Sequence, residues 1–311
     1  MRPDEIGLGR GHGRVKDPTV HMILSGGEIG AWFEAADGQR LAIPRICNVG
    51  RSRNNQLVLA DMRVSRRHAL IQMQAQGEYW VVDFGTVNGT RVDGRRIAVP
   101  TLLREGSTVE IGGISFTFRQ AGGALPGVSS DTLSTTATMH DVRRLPVWLL
   151  VADIVDSTHY YRSLSQDDLP RVIGNWFAIC RELMEGTGGT INQYLGDGYF
   201  GHWPDGELVP ERVATALRQL HELQQKAPPH FRWVLHLGNV LAHGTFNPGE
   251  ESMMGPDMHF VFRMEAVAKE LKQTALMSDT AARRLEGRCE PREVGRSSLK
   301  GFEGEFRFFT L

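Results

Sequence analysis

Val147-Trp-Leu-Leu-Val-Ala-Asp-Ile-Val-Asp-Ser-Thr158 is the stretch whose reading decides the fold. Its first half, Val147 to Ala152, is an unbroken apolar run. Such a run reads as a strand buried on both faces, or as a piece of buried helix. The run stops at Asp153, and Asp156, Ser157 and Thr158 follow at once. Those three are helix-starting residues, because their side-chain oxygens bond the free N–H groups of a first turn. A carboxylate at a strand end, beside exposed backbone amides, suits a metal ion and phosphate groups. Alone, Asp153 is as readily the plain end of a core strand.

Working outward, Gly188-Gly-Thr-Ile-Asn-Gln-Tyr-Leu-Gly-Asp-Gly-Tyr-Phe-Gly-His-Trp203 reads as two short strands around Gly196-Asp197-Gly198. Glycines flanking an aspartate mark a tight hairpin turn. Paired beside the first strand, this hairpin brings Asp197 to Asp153. Mg²⁺ usually takes one or two protein carboxylates and fills its shell from phosphates and water, so two aspartates plus a triphosphate suffice for two ions.

Asp153-Ile-Val-Asp-Ser-Thr158 followed by Gly196-Asp197-Gly198 resembles the metal-binding core of class III nucleotide cyclases, the adenylyl and guanylyl cyclases. The resemblance runs from about Pro146 to the C-terminus and takes in Arg263 and Leu299-Lys300-Gly301. It implies that Asp153, Asp197 and the carbonyl of Ile154 bind Mg²⁺ or Mn²⁺, two ions per site. It further implies that the amides of Val155, Asp156, Ser157 and Thr158 cradle phosphate oxygens. In the same resemblance Arg263 stabilises charge on the α-phosphate, and Lys300 binds the terminal phosphates. One metal lowers the pKa of the ribose 3′-OH and the other neutralises the departing pyrophosphate.

Three positions depart from the family pattern. Gln193 stands where adenylyl cyclases often carry lysine, Ser252 stands at its partner position, and His259 replaces the asparagine that holds the ribose. A glutamine amide offers both a donor and an acceptor to a base edge, which suits adenine. The expectation is therefore an adenylate cyclase that converts ATP to 3′,5′-cyclic AMP and pyrophosphate. The alternatives are a cyclase for GTP or a pyrimidine triphosphate, or a degenerate cyclase fold acting as a phosphopeptide-binding adaptor. In this family the metal aspartates and the transition-state arginine come from opposite subunits, so the resemblance implies a homodimer.

The chain has 311 residues, enough for about two domains, with a formal net charge of -1. That balance gives no argument for nucleic acid or membrane binding. Cys47, Cys180 and Cys289 are too widely spaced for a metal site, and they read as reduced thiols of a cytoplasmic protein. No apolar run is long enough for a bilayer.

The first twenty residues read as a flexible tail. Residues 21–120 carry short strand-like runs separated by Gly, Asn and Asp, the signature of an all-β sandwich. Within them stand Gly50-Arg51, Val64-Ser65-Arg66-Arg67-His68 and Asn88-Gly89-Thr90, a set that resembles a forkhead-associated (FHA) domain, a phosphothreonine-peptide-binding module. Arg51 and the Ser65 hydroxyl suit a phosphate, and the Asn88 amide suits a peptide backbone. Arg66, with Arg53, Arg63 and Arg67, adds positive potential, and Gly89 completes the motif. The resemblance makes His68 a structural residue.

Residues 121–143 form a Ser/Thr/Gly-rich linker that includes Thr138, three residues before Asp141. The phosphothreonine partner is expected to be another protein or this linker once phosphorylated. Residues 144–311 alternate periods. A long helix capped by Asp167 or Asp168 ends at Gly186, and Pro210 opens another. Strands Phe231–Leu237 and Val240–His243 are expected to be joined by a turn at Gly238-Asn239, with a helix from about Phe260 to Leu271 after them. Strand-helix-strand-strand-helix-strand is a ferredoxin-like α+β plan.

Overall fold

A computed structural model describes residues 20–22, 30–74, 77–121, 142–226, 228–243 and 252–311. The expected tail before Val20 lies outside these residues, as do Thr138 and nearly all of the linker. The Ser252 side chain is also outside them, although its backbone is described.

The N-terminal domain is a sandwich of two six-stranded sheets. Its strands are β1 (Val20–Met22), β2 (Ala31–Ala35), β3 (Arg40–Ile43), β4 (Ile46–Gly50), β5 (Leu57–Leu59) and β6 (Ala69–Met73), then β7 (Tyr79–Asp83), β8 (Thr90–Val92), β9 (Arg95–Arg96), β10 (Thr101–Leu103), β11 (Thr108–Ile111) and β12 (Ile114–Gln120). One sheet has the order β1-β5-β4-β6-β7-β10 and the other β3-β2-β12-β11-β8-β9. Alternate residues of both sheets turn inward, and Phe33, Val49, Ile71, Val81, Val109 and Phe118 close the core between them.

The C-terminal domain contains β13 (Val142–Ile154), α1 (Ser157–Ser163), α2 (Asp168–Gly186), β14 (Thr190–Leu195), β15 (Gly198–Pro204), α3 (Val209–Lys226) and β16 (Phe231–His243). There follow β17 (Ser252–Met254), α4 (Pro256–Glu270), β18 (Ala275–Ser278), α5 (Asp279–Arg284), β19 (Arg292–Ser297) and β20 (Phe306–Thr310). The sheet order is β14-β15-β13-β16-β18-β20-β19, with β17 paired to β16. Its first four strands are antiparallel to one another, β16 then runs parallel to β18, and β13 lies between β15 and β16, which is the ferredoxin-like arrangement. β13 is buried on both faces. Trp148, Leu150, Ala152 and Ile154 pack with Ile173 and Phe177 of α2 and Leu217 of α3. Val147, Leu149 and Val151 pack with Val261 and Met264 of α4.

Several local expectations give way to tertiary structure. Gly238-Asn239 is no turn. β16 is one thirteen-residue strand laddered along β13, with Gly238 opposite Val147. Gly238 is there because a Cβ would lie 2.6 Å from the Asp257 Cβ and 2.6 Å from His236 Nε2. Asp156 occupies the N-cap of α1 in the left-handed region (φ 52°) and makes no side-chain cap bond. Nor does Asp167 cap α2 with its side chain. The Ser165 hydroxyl accepts from the Asp168 amide at 3.0 Å instead. α4 starts at Pro256, four residues earlier than its apolar stripe indicates, and the short α5 was not foreseen. Among the described residues no helix is long and apolar enough to cross a membrane.

Candidate functional site

The ladder of β13 on β15 ends with Asp153 opposite Gly198, the residue after Asp197. Gly196, at φ 63°, makes the turn that β14 and β15 share. Gly198 has to be a glycine, since a Cβ would lie 2.6 Å from the Ala152 carbonyl oxygen and 2.8 Å from Asp153 Oδ1. The Asp153 carboxylate thus lies across the hairpin that presents Asp197. Its pKa is pushed up to about 7, by burial first, then by the charges of Asp197 and Glu265, against Lys269 and Arg232. Glu265 is also pushed up, chiefly by burial. Arg232 stands opposite Asp153 on β16.

This is a site with an excess of crowded negative charge, and a divalent cation fits that donor set. Among the described residues no group of three or more His, Cys, Asp or Glu is arranged to hold a metal. An ion here would therefore draw on two aspartates and complete its shell from backbone, substrate and water.

Just beyond Ile154 a pocket of about 430 Å³ opens, lined by Val155, Asp156, Thr158, His159, Arg162 and His230. Val155 N–H donates to the His230 carbonyl at 2.8 Å, and the His230 amide donates to the Tyr160 hydroxyl at 2.9 Å. These bonds hold the turn and α1 against the neighbouring loop. Arg162 lines the pocket together with Asp156, and the His159 and His230 rings add nitrogens able to hydrogen-bond an anion.

His259 and Arg263 lie one turn apart on α4 and both are exposed. Lys300 is exposed beside buried Leu299. The three stand apart from the lining of the pocket at α1. Gln193 is half-buried on β14, immediately after a bulge at Asn192. Ser252 pairs with His243 through the backbone. The aspartates were legible from local motifs. Glu265, Arg232 and Lys269 were not, because only strand register and helix packing bring them to Asp153.

The second site lies where the β4–β5 and β5–β6 loops abut. Arg51 N–H donates to the Ser65 carbonyl at 2.9 Å, and Ser52 N–H to the Arg66 carbonyl at 3.2 Å. Buried Asn55 donates its amide to the Ser52 and Arg66 carbonyls at 2.7 and 2.8 Å. Gly50 permits the approach, for a Cβ would lie 2.4 Å from the Arg66 oxygen. Above these loops is a pocket of about 780 Å³ whose lining includes Arg51, Ser52, Ser65, Arg66, Arg67 and Glu185.

Beneath it, His68 Nδ1 accepts from the Ser65 amide at 3.0 Å, and Nε2 faces the Gly89 carbonyl at 3.2 Å. Accepting at Nδ1 requires the neutral ring, and burial lowers the pKa in the same direction. His68 is thus a support for the Ser65 loop. Asn88 donates to the Arg63 carbonyl at 2.7 Å, and neither it nor Gly89 is among the residues that line the pocket. Arg63 is bonded twice to Asp61, and Arg67 is bonded to Glu182, so both are partly neutralised. The positive potential at the pocket therefore rests mainly on Arg51 and Arg66, with Arg67 lining it but shared with Glu182.

Residues 47–112 match the FHA domain family model. Over 90 residues the chain is 36% identical to the glycogen accumulation regulator GarA of Mycolicibacterium smegmatis, covering 29% of this chain and 52% of GarA. The chain thus spans about half the length of that relative, and 12% of a second curated relative. In structure, the adenylyl cyclase CyaB from P. aeruginosa matches at 17% identity and a TM-score of 0.44, over 55% of this chain and 95% of CyaB. The guanylyl cyclase Cya2 matches at 18% identity and a TM-score of 0.44, over 55% of this chain and 93% of its own.

Proposed function

We propose that the chain is a nucleotide cyclase, acting on ATP to give 3′,5′-cyclic AMP and pyrophosphate, coupled to a phosphothreonine-reading FHA domain. The observation that carries it is the meeting of Asp153 and Asp197 across the β13–β15 ladder, with the Asp153 carboxyl raised to about 7 by burial and by like charge. Mg²⁺ or Mn²⁺ held there by the two aspartates and the Ile154 carbonyl would neutralise the triphosphate and acidify the ribose 3′-OH.

The protein groups then have separate tasks. The turn Asp156–Thr158 and the pocket beside it hold phosphate oxygens, whereas the Val155 amide expected to join them is already committed to the His230 carbonyl. Gln193 reads the base edge, with Ser252. Arg263 neutralises charge on the α-phosphate while the 3′-oxygen forms its bond to phosphorus and the bridge to the β-phosphate breaks. The hydroxyl proton leaves to solvent and pyrophosphate departs with Lys300 against it. His259 and Arg263 share one exposed face of α4, an arrangement that suits delivery of both to a second copy's aspartates in a homodimer. Arg51, Ser65 and Arg66 bind the phosphate of a phosphothreonine peptide, from another protein or from the linker phosphorylated at Thr138.

The test is to incubate the purified chain with each nucleoside triphosphate and Mg²⁺ or Mn²⁺ and to identify the product by mass. Cyclic AMP from ATP is expected, lost in Asp153→Ala and Asp197→Ala while near- and far-ultraviolet circular dichroism stay unchanged. Undiminished product in both variants would remove the two-metal assignment, and a different cyclic nucleotide would correct the base.

A further inference from the structure

The two domains share more than a linker. Leu70 of β6, Val82 of β7 and Phe84 belong to one buried core with Ile173, Trp176, Phe177 and Tyr194 of the C-terminal domain. Gly85 and Gly174 meet backbone to backbone, and a Cβ on Gly174 would lie 2.3 Å from the Gly85 nitrogen. Buried Gln72 donates to the Ile191 carbonyl at 3.2 Å and the Asn192 carbonyl at 3.0 Å, which places it at the β14 bulge just before Gln193. This is core-like packing, and α2 is seated firmly on the sandwich.

At the rim of that seat the charges of both domains intermingle. Arg67 donates to Glu182 at 2.6 Å and lies 4.0 Å from Glu185, while Arg181 donates to Glu185 at 2.6 Å. The Arg67 and Arg181 guanidiniums both stand over the Phe84 ring, at 5.6 and 5.8 Å from its centroid. Glu185 also lines the same pocket as Arg51, Ser65 and Arg66. A phosphothreonine phosphate brings about two negative charges. In that pocket it meets a carboxylate of the other domain, and Arg67, which also lines it, is already bonded to Glu182 of α2.

We infer that the phosphothreonine pocket is a two-domain site, in which Glu182 and Glu185 of α2 compete with the phosphopeptide for the basic loop, so that peptide binding and the seating of α2 oppose each other. The inference rests on the phosphothreonine reading of the pocket given above. Linkage makes the effect reciprocal. Carboxylates that weaken the peptide in the seated state oblige the peptide to weaken the seat by the same factor. The elements so loosened are α2 and the β14 bulge held by Gln72, next to the residue assigned to the base. A phosphorylated partner therefore has a physical route to the nucleotide site.

The experiment uses the full chain and a fluorescent peptide mixture with a central phosphothreonine and degenerate flanks, followed by anisotropy. Its unphosphorylated counterpart is the control. Glu182→Gln with Glu185→Gln is expected to tighten phosphopeptide binding by about fivefold or more, the low end of ordinary site-to-site coupling, with a smaller gain at high salt. Hydrogen exchange on the wild-type chain should show amides of α2 and β14 exchanging faster when the phosphopeptide is bound. If the wild-type chain prefers the phosphorylated mixture but the double variant binds no tighter, or α2 becomes more protected, the inference falls and the phosphothreonine reading stands. If neither chain distinguishes the phosphorylated from the unphosphorylated mixture, the phosphothreonine reading itself is overturned. Binding by the double variant alone upholds both.

Discussion

Asp153 carries a stability cost along with its proposed chemistry. A free aspartate loses its proton near about 3.9, and in the folded chain Asp153 keeps it to about 7. Between those values the folded state binds the proton and the unfolded state does not, so stability falls as pH rises through that window. Asp153→Asn cannot lose a proton. In chelator, its melting temperature relative to the wild type is expected to climb from pH 4 to pH 7 and to level off above. A difference that does not vary with pH would show that Asp153 is not crowded by Asp197 and Glu265 as described. The aspartates themselves could be read from the sequence because each sits in a short motif with its own turn residues. Glu265, Arg232 and Glu185 could not. Nothing local distinguishes Glu185 from any other carboxylate in the last turn of a helix, and only the packing of α2 on the sandwich puts it in the pocket of Arg51.

At the scale of the element, most strands and helices were legible from period and punctuation, including β13, the β14–β15 hairpin and the end of α2. The exception at Gly238-Asn239 shows why such a reading fails. A glycine-asparagine pair offers a turn, but β13 presents thirteen consecutive ladder positions, and continuous pairing prevails over the local preference. The glycine answers a different need, the close approach of the first turn of α4. There Asp257 donates nothing: its carboxylate accepts from the Asn239 amide at 2.6 Å and faces His236 Nε2 at 3.5 Å, which lowers the Asp257 pKa. Gly238→Ala is expected to leave β16 intact but to displace Asp257 and destabilise the chain by about 1–3 kcal/mol, the usual cost of overpacking. Urea unfolding measures this directly. If the variant is as stable as the wild type, Gly238 is only a tolerated strand glycine.

At the scale of the whole molecule, the division into a sandwich and an α+β domain followed from composition and motif, but their union did not. Leu70, Val82 and Gln72 look in sequence like ordinary residues of sandwich strands. Which of them turn outward to meet α2 depends on strand register, and no pattern within either domain announces a partner surface. Because one core spans both domains, the chain should unfold in a single transition, with calorimetric and van't Hoff enthalpies equal. Gly174 offers the sharpest test of that union, since it sits in the interior of α2, where local and tertiary effects have opposite signs. In an isolated helix, glycine to alanine is favourable by roughly 1 kcal/mol. In the seated helix the added Cβ would lie 2.3 Å from the Gly85 nitrogen and 2.6 Å from the Asp83 carbonyl oxygen, backbone atoms that cannot swing aside. Gly174→Ala should therefore lower the melting temperature of the full chain and split the transition in two, one for each released domain, although α2 alone becomes a better helix. A variant that melts higher than the wild type in one step would mean that helix propensity prevails and that α2 and the sandwich do not meet as closely as Gly85 and Gly174 do here.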